Sequence, residues 1–484
     1  MELDPLLLSR IQFAFVVSFH AIFPVFTIGL ASFIACLEGL YLKTGNKDWE
    51  RLSKFWIQVF AVVFGMGVVS GIVMAFQFGT NWSQFSYSAA NFIGPMLSYE
   101  VITAFFLEAA FLGVLLFGRD KVPQGIHFFS ACMVALGTLI SAFWILSANS
   151  WLHTPQGVEV RDGVYYVLSW REAIFNPSMP VRVTHMAMAS FLTGGFVVAG
   201  VSAWYLLNKR DFELHRKALS MTLWLLLILA PAQVLVGDLH GLNTFEHQPM
   251  KIAAMEGNWE TREGAPLVLF ALPDQENQTN RFEVAVPKLA SLILTHDWNG
   301  EVPGLNEIPV EEQPPVAIVF WAFRVMVAIG FLMVAVVITG LILRRKQAYA
   351  HTPWFLNTLR GMAITPFIAV IAGWFVTEIG RAPWLVYEQL SHQQGVTPSL
   401  TGGMALFTLI GYILVYAIIF TAGLYYLMRV LRTGVEQRDY GYDKAGKRPK
   451  RPFSVADADW EDDTPGDGKT NVTAQEKAEE QGAG

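Results

Sequence analysis

Charged residues and cysteines are scarce in this 484-residue chain. Only 15% of the residues are Asp, Glu, Lys or Arg, whereas an ordinary soluble domain is about a quarter charged. The two cysteines, Cys36 and Cys132, are too few for a disulfide framework or a cysteine-rich metal site. The net charge of −6 offers no basic surface, so we expect no nucleic-acid partner. Together these shortages exclude disordered proteins, coiled coils, collagens and most soluble enzymes.

Apolar residues make up 53% of the chain, and the mean hydropathy is +0.39. Long continuous apolar runs carry this excess, and each is close to the ~20 residues that a helix needs to cross ~30 Å of hydrocarbon. Strands of a membrane barrel would instead alternate over segments of ~10 residues. We therefore predict an all-α polytopic membrane bundle of nine transmembrane helices. The predicted spans are 11–41, 55–79, 94–118, 126–149, 183–207, 218–238, 316–343, 361–379 and 402–428.

Lys and Arg are concentrated in every second connection between these spans. The connections after the first, third, fifth and seventh spans are basic, as is the tail after the ninth, whereas loop 80–93 has no Lys or Arg. Basic residues accumulate on the cytoplasmic side of a membrane. The pattern therefore predicts an N-terminus outside and a C-terminus in the cytoplasm.

Two polar segments interrupt the rhythm of the spans. Residues 239–315 form a long connection on the predicted outer face, and loops of that length are usually functional or partly disordered. The acidic, glycine-rich end of the chain has few apolar residues, which is typical of disorder. The prediction therefore divides the chain into spans one to six (1–238), the outer loop (239–315), spans seven to nine (316–430) and a disordered cytoplasmic tail (431–484).

Ionisable side chains inside the spans are few, and such residues are usually functional. Glu38, His127 and Asp238 lie near span ends, where we expect them to reach water. A second set from five helices falls at one depth in the outer half, in a slab about 15 Å thick by the helical rise per residue. This set comprises His20, Glu100, His185, Arg324, Met326 and Glu378, with Arg381 just beyond the eighth span.

Taken singly, each residue of this set has a packing explanation, and a methionine in an apolar helix usually fills a gap. Their convergence is more informative. His and Met are axial ligands of haem iron, and Arg324 and Arg381 are suited to pairing with haem propionates. Clusters of His and carboxylates also suit proton relays. The pattern alone therefore leaves two hypotheses, a membrane cytochrome and a proton-coupled transporter.

Glu108 lies deeper in the third span, eight residues after Glu100. In a regular helix the two carboxylates would be about 80° apart around the axis and about 12 Å apart along it, on a broad face rather than a stripe. A carboxyl group at mid-membrane can pass protons, and Ser141 and Ser147 could extend its path. Trp374 lies one helical turn before Glu378.

Six local words now become recognisable, and together they resemble subunit I of cytochrome bd-type quinol oxidases over residues 1 to about 430. The group with a short outer loop, which includes cyanide-insensitive oxidases, is the most similar. The words are SRIQFAFVVSFHAIFP around His20, LSYEVITAFFLEAAFLG around Glu100 and Glu108, VRVTHMAMASF around His185, QPMKIAAMEG at 248–257, FWAFRVMVAIGF around Met326 and GWFVTEIGRAPW at 373–384.

The resemblance implies a subunit of a bacterial plasma-membrane enzyme that oxidises quinol and reduces O₂ to water. It implies three haems: a low-spin haem b, a high-spin haem b, and a haem d or a further haem b in its place. His185 and Met326 match the axial pair of the low-spin haem. His20 matches the ligand of one high-spin haem and Glu378 the ligand of the other.

Further residues match the motifs of the same family. Glu100 matches an acidic residue beside the high-spin haems, Glu108 the proton-path carboxylate, and Trp374 a tryptophan between haems. Arg324 matches a residue that stabilises the reduced low-spin haem. Arg381 lies in a word that reads GRQPW in the family and GRAPW here.

The outer loop would bind the quinol. Lys251 and Glu256 match quinol-site residues there, although five residues of helix would set them about 140° apart. The family further implies a second membrane subunit and small single-span subunits as partners, besides quinol, O₂ and the lipid bilayer. We expect protons to be released outside and taken up inside, without pumping.

Two alternatives remain from the residues themselves. A transporter would show repeats with inverted topology, and none is visible. A cytochrome b that passes electrons to a partner would need only paired haem ligands, and neither His20 nor Glu378 has an obvious partner.

Overall fold

The computed structural model describes residues 3–434. Within that range nine helical segments are long and apolar enough to cross a membrane, which confirms the predicted fold. In chain order the helices are α1 (Pro5–Thr44), α2 (Lys47–Thr80), α3 (Ser83–Ser88), α4 (Ala90–Glu100), α5 (Phe106–Phe117), α6 (Gln124–His153), α7 (Trp170–Ile174), α8 (Met179–Leu207), α9 (Phe212–His247), α10 (Pro249–Glu256), α11 (Leu289–Thr295), α12 (Val316–Arg345), α13 (Pro353–Met362), α14 (Thr365–Ile379), α15 (His392–Gly395) and α16 (Gly402–Thr433).

Three of the nine segments are composite, and the seventh adds a 3₁₀ turn, Val310–Glu312, before α12. The third consists of α4 and α5 joined by a π-helical turn, Val101–Phe105, and the eighth consists of α13 and α14. Most segments extend beyond the apolar run predicted for them, because a helix continues through the interface after the hydrocarbon ends. The difference is largest at α9, which reaches His247 rather than residue 238. The polar connection therefore begins at Gln248 and not at 239.

The helix ends follow their local sequence. Asp4 caps α1 by accepting a hydrogen bond from the Leu6 N–H at 2.9 Å, and Pro5 begins the helix. Gly45 ends α1 in the left-handed region, with φ of 66°. The short helix α10 uses the same pair of signals, Pro249 at its start and Gly257 with φ of 68° after its end.

The chain alternates between the two ends of the bundle. Residues 81–89, 154–178, 248–315 and 380–401 connect helices at the end where α1 begins, here called the polar-segment end. The shorter connections 45–46, 118–123, 208–211 and 346–352 lie at the opposite end. The predicted tail, 431–484, lies outside the described residues except for its first four, of which 431–433 belong to α16.

Short antiparallel strand pairs lie in the connections at the polar-segment end. In the polar segment 248–315, Arg262–Glu263 pairs with Glu301–Val302, and Leu267–Asp274 pairs with Thr279–Val286. The strands are β1 (Val158–Arg161), β2 (Val164–Val167), β3 (Arg262–Glu263), β4 (Leu267–Asp274), β5 (Thr279–Val286), β6 (Glu301–Val302), β7 (Trp384–Val386) and β8 (Leu390–Ser391). The polar segment is therefore a folded cap within the described residues.

Helices α1 and α8 form the centre of the bundle. Helix α1 packs against α2, α6, α8 and α16, while α8 also packs against α9 and α13. A methyl group at Gly29 would lie 2.3 Å from the Ser190 carbonyl oxygen, and one at Gly194 would lie 2.8 Å from the carbonyl carbon of Gly29. Small residues let membrane helices approach this closely. This crossing fixes the two helices that carry His20 and His185.

Candidate functional site

His185 of α8 and Met326 of α12 each face a glycine on a neighbouring helix. A methyl group at Gly237 would lie 3.5 Å from His185 Nε2, and one at Gly373 would lie 3.0 Å from the Met326 sulfur. The His185 ring also packs edge-on against His240 of α9, with 5.3 Å between ring centroids. Sequence reasoning did not single out His240, because it lies beyond the predicted end of the sixth span.

His20 of α1 is oriented by a serine on α2. Its Nδ1 lies 2.9 Å from Ser70 Oγ, and that hydroxyl donates to the Gly67 carbonyl at 2.8 Å. Since the hydroxyl proton is used there, Ser70 accepts from Nδ1–H and leaves Nε2 with its lone pair, the tautomer that a metal ligand needs. A methyl group at Gly71 would lie 3.1 Å from His20 Cε1. Three of the four predicted ligands thus face glycines.

Glu378 ends α14 among hydrogen-bond donors at the polar-segment end. Asn149 Nδ2 donates to Oε1 at 2.8 Å, and Arg381 Nη2 donates to Oε2 at 2.5 Å. His153 Nε2 lies 3.5 Å from Oε1. Arg381 is therefore placed beside Glu378 by its own helix end.

Lys251 connects the polar segment to this group. Its Nζ donates to Gln248 Oε1 at 2.5 Å and lies 3.0 Å from His153 Nδ1. The lysine is only 3% exposed, which is exceptional for an unpaired cation. His153, whose other ring nitrogen faces Glu378, thus bridges the predicted quinol residue and the predicted haem ligand. It was missed because α6 runs four residues past the predicted span end.

Arg182, which the sequence analysis also missed, completes the group. It lies on α8 one turn before His185, is 6% exposed, and places Nη1 3.5 Å from Asn149 Oδ1. Its Nε has no hydrogen-bond partner in the described residues, nor do Nε and Nη1 of Arg381. An arginine one turn before a candidate ligand, in VRVTHM, was the available signal.

We call Arg182, Lys251, Arg381, His153 and Glu378 the cationic cluster. Glu378 is its one carboxylate, against two guanidinium groups and a lysine. Burial, followed by the charges of Arg182 and Arg381, holds the pKa of Lys251 well below its usual value. Burying cations without a counter-charge is costly. The unpartnered guanidinium nitrogens therefore fit an anionic group such as haem propionates.

Arg324 ties α12 to the polar segment. Its Nε donates to the Val268 carbonyl at 2.9 Å and its Nη1 to the Met255 carbonyl at 2.5 Å, while Nη2 lies 3.5 Å from Glu256 Oε2. Glu256 is 7% exposed. Burial raises the pKa of Glu256, opposed by the Arg324 guanidinium. A raised pKa makes an ionised carboxylate a better proton acceptor than an ordinary one.

Lys251 and Glu256 lie on one regular helix, α10. The predicted angular separation is therefore real, and the two side chains contact different partners. Lys251 lies beside His153 of α6 and against Gly380, just after α14, whereas Glu256 faces α12. They are not a solvated surface pair, since both are buried. The polar segment thus contacts both α12 and the end of α14, the helices that carry Met326 and Glu378.

Glu100 and Glu108 both face α6, which corrects the predicted angle of about 80°. Ser141 Oγ donates to Glu100 Oε1 at 2.8 Å, and the Glu108 side chain lies against Gly137. The π-helical turn between the two carboxylates changes their relative rotation. Trp374 of α14 keeps its buried indole N–H without a partner in the described residues.

The prediction that Glu38 and His127 reach water is wrong. Glu38 is fully buried, and its carboxylate accepts from Ser53 and Arg119 in short contacts and lies 3.0 Å from His127 Nδ1. These four residues, the Glu38 cluster, lie at the opposite end of the bundle. Asp238 lies within α9 and is exposed on its surface.

The candidate ligands occur singly. Residues 3–434 contain no group of three or more His, Cys, Asp or Glu that could hold a metal ion by themselves. Single axial ligands facing glycines suit iron that a flat macrocycle already holds. The residues present therefore fit haem.

Comparisons with known proteins agree with this geometry. The family model for cytochrome bd terminal oxidase subunit I matches residues 8–435. Cytochrome bd ubiquinol oxidase subunit 1 of Bacillus subtilis (strain 168) is 34% identical, over 90% of this chain and 96% of that protein. Cytochrome bd-II ubiquinol oxidase subunit 1 of Escherichia coli (strain K12) is 30% identical, over 89% of this chain and 97% of that protein.

A solved structure shows the same fold. A chain of the bd oxidase from Geobacillus thermodenitrificans superposes with a TM-score of 0.82 at 32% identity, covering 89% of this chain and 99% of that chain. The match therefore extends through the bundle and the polar segment alike. This chain belongs to the cytochrome bd terminal oxidase subunit I family.

Proposed function

We propose that this chain oxidises quinol at its polar segment, 248–315, and holds the haems at which O₂ is reduced. Family membership makes it a haem-containing subunit of a terminal respiratory oxidase, a quinol:oxygen oxidoreductase in the bacterial cytoplasmic membrane that works with a second subunit. The main support for electron transfer from the polar segment to the haems is the cationic cluster. In it, His153 connects Lys251 of the polar segment to Glu378 of α14.

Four side chains would hold the haems. His185 and Met326 would together hold a low-spin haem b. His20 would hold one high-spin haem and Glu378 the other, one of them haem b and the other haem d or a haem b in its place. Bound haem supplies one-electron transfer and an open iron position for O₂. The glycines facing His185, Met326 and His20 support this assignment, since they leave room beside each ligand.

The arginines would anchor these groups. Arg381 and Arg182 carry unpartnered donors suited to propionate carboxylates. Arg324 has most of its donors engaged by backbone carbonyls and by Glu256. We therefore assign it to holding the polar segment on α12, two residues before Met326, where its charge would favour the reduced low-spin haem. Trp374 would lie between haems.

Quinol would bind against α10. Lys251 would orient one quinol oxygen, and Glu256 would accept a quinol proton, since burial raises its pKa. The proton would leave on the outer side. Glu108 and Glu100 would carry protons for water from the cytoplasmic side along α6, so that charge separates across the membrane without pumping. We retain the predicted orientation, with the N-terminus outside, and the predicted order of spans, outer polar segment and tail, with the polar segment now starting at Gln248.

Small single-span subunits are a further expectation from the family. Glu100 is only partly buried in this chain, and exposed aromatic and aliphatic side chains surround it on α4 and in the π-helical turn. A carboxyl group that faced lipid would be costly. This surface therefore suits contact with other subunits.

The reduced-minus-oxidised visible spectrum of the purified complex, with CO-difference spectra and haem extraction, tests the proposal. We expect low-spin haem b bands together with a CO-reactive high-spin component. A red-shifted chlorin band would identify haem d, and its absence with full CO reactivity would identify haem b at that position. A complex without haem would contradict the assignment. Ubiquinol and menaquinol should both be assayed, because relatives' names include each.

A further inference from the structure

The π-helical turn in the third span changes the direction of Glu108. Helix α4 ends at Glu100, the turn occupies Val101–Phe105, and α5 begins at Phe106. A π turn accommodates one extra residue. Glu100 and Glu108 are therefore related as residues seven apart in a regular helix, within about 20° of the same face. Without the turn they would be about 80° apart.

Side-chain contacts show which neighbour this shared face meets. Glu100 Oε1 accepts from Ser141 of α6, and the Glu108 side chain lies over Gly137 of α6. Ser141 and Gly137 are four residues apart, so the two contact points are about 6 Å apart along α6. Both carboxyl groups thus border one strip of α6.

Gly137 provides the space for Glu108. A methyl group at 137 would lie 2.5 Å from Glu108 Cγ and 3.4 Å from the Ala104 carbonyl oxygen. The first separation is too short for any real contact, so Glu108 would have to move. Glu108 is buried, and its Oε1 has no hydrogen-bond partner in the described residues. An unpartnered buried carboxyl oxygen suits a group that exchanges protons with water or a neighbouring acid rather than one that only packs.

We propose that Gly137 and the π-helical turn act together as a positioning device that holds the Glu108 carboxyl in line with Glu100 along α6. Gly137 is then a positioning residue for proton delivery. The inference rests on the proposed function, because it assigns this strip to the protons used in O₂ reduction. The alternative is that Gly137 serves only close packing of α5 on α6.

Gly137→Ala in the complete complex tests the device, with Gly113→Ala as the matched control. Gly113 lies on α5, and a methyl group there meets nothing within 4 Å. We expect Gly137→Ala to lower kcat for quinol oxidation about 10- to 100-fold, as displaced catalytic groups do. The KM for quinol and the haem spectrum should not change, and the solvent isotope effect on kcat should rise. Gly113→Ala should match the wild type.

A compensating variant separates positioning from packing. In Gly137→Ala/Glu108→Asp the shorter side chain makes room for the added methyl group, so we expect kcat to recover above that of either single variant. The infrared carboxyl band that Glu108→Gln abolishes should shift in Gly137→Ala and return towards its original position in the double variant. If Gly137→Ala does not assemble, assembly of the double variant carries the same information.

Three outcomes would overturn the inference. They are wild-type kcat in Gly137→Ala, a loss equal to that of Gly113→Ala, and a double variant no better than the single ones in both kcat and assembly. Failure of the proposed function would look different. The wild-type complex itself would then lack haem or quinol oxidase activity.

Discussion

The two ends of the bundle each contain a buried group of charged residues, and the two groups are built differently. At the opposite end, the Glu38 carboxylate accepts hydrogen bonds from Ser53 and Arg119 and contacts the His127 ring nitrogen. This one anion is therefore surrounded by polar partners from the same chain. At the polar-segment end, Glu378 is outnumbered by cations, and guanidinium nitrogens of Arg182 and Arg381 have no hydrogen-bond partner within residues 3–434.

The difference separates a structural ion-pair network from a binding site. A buried carboxylate with a full set of donors is satisfied by the fold alone. A buried excess of positive charge is costly unless a negative charge compensates it or one of the groups loses its proton. The Glu38 cluster therefore joins α1, α2 and α6, whereas the cationic cluster has the charge and the free donors to suit an anionic group from outside the chain.

The largest expected effect is at the satisfied end. Glu38→Ala removes the anion and leaves the buried His127 and the half-buried Arg119 without it. Breaking a buried pair in this way costs about 3–5 kcal/mol of stability. The melting temperature of the complex in detergent should fall clearly. Asp238→Asn, at an exposed position, is the control and should not change it, and an unchanged Glu38→Ala protein would show that the network contributes nothing.

Glu256 tests whether a carboxyl group at the polar-segment end gains and loses a proton during quinol oxidation. Since burial raises the pKa of Glu256, its deprotonated, proton-accepting form grows with pH above the usual carboxyl range of about 4. The wild-type kcat/KM for quinol should therefore rise as the pH increases above the usual carboxyl range. In Glu256→Gln the rising limb should disappear, with a loss of about 100-fold at its upper end. A Glu256→Gln enzyme with an unaltered pH profile would exclude this role.

Arg182 probes the unsatisfied end directly. In Arg182→Gln a positive charge beside the bound anion is lost, so the oxidised, more positive state of the nearby haem becomes easier to form. Its midpoint potential should fall by about 60 mV for a contact worth about 1.4 kcal/mol. Arg182→Lys should retain part of the potential. Spectroelectrochemical titration measures the change, and equal shifts in Arg182→Gln and Arg119→Gln would contradict the distinction between the two ends.

The smallest effect is expected for an ion pair that is neither buried nor part of the cationic cluster. Arg161 and Glu159 pair at 2.6 Å on the surface of the β1–β2 hairpin. Solvent screens such pairs, and many contribute nothing measurable. Arg161→Ala should therefore leave both the melting temperature and the haem potentials unchanged. A clear loss of stability would mean that pairing alone, without burial, explains the Glu38 result.

The number and order of the membrane spans were predictable because they depend on the local composition of the sequence. The nine spans follow from apolar runs and the alternating basic connections, and the described helices confirm the count. The sixth span was underestimated because α9 continues to His247 through residues that are polar but still helical. Apolar runs mark where hydrocarbon lies, and hydrogen bonding of the backbone decides where a helix stops.

The candidate residues were predictable where a motif or a rare charge marked them, as for His185, Glu378 and Lys251. Their surroundings were not. Arg182 and His153 became visible only when α8, α6 and α10 met at one end of the bundle. Glu38 and His127 were placed in water because position in a span gives depth and says nothing about which face is covered.

By itself the sequence determined the fold class, the membrane setting and the family, since these depend on hydrophobicity and on words of contiguous residues. Only the tertiary structure decided which buried charged groups have hydrogen-bond partners and which, within residues 3–434, do not. It also decided that a π-helical turn directs Glu100 and Glu108 to one strip of α6. The physical reason is that burial and hydrogen-bond satisfaction are properties of residues distant in sequence, brought together by packing.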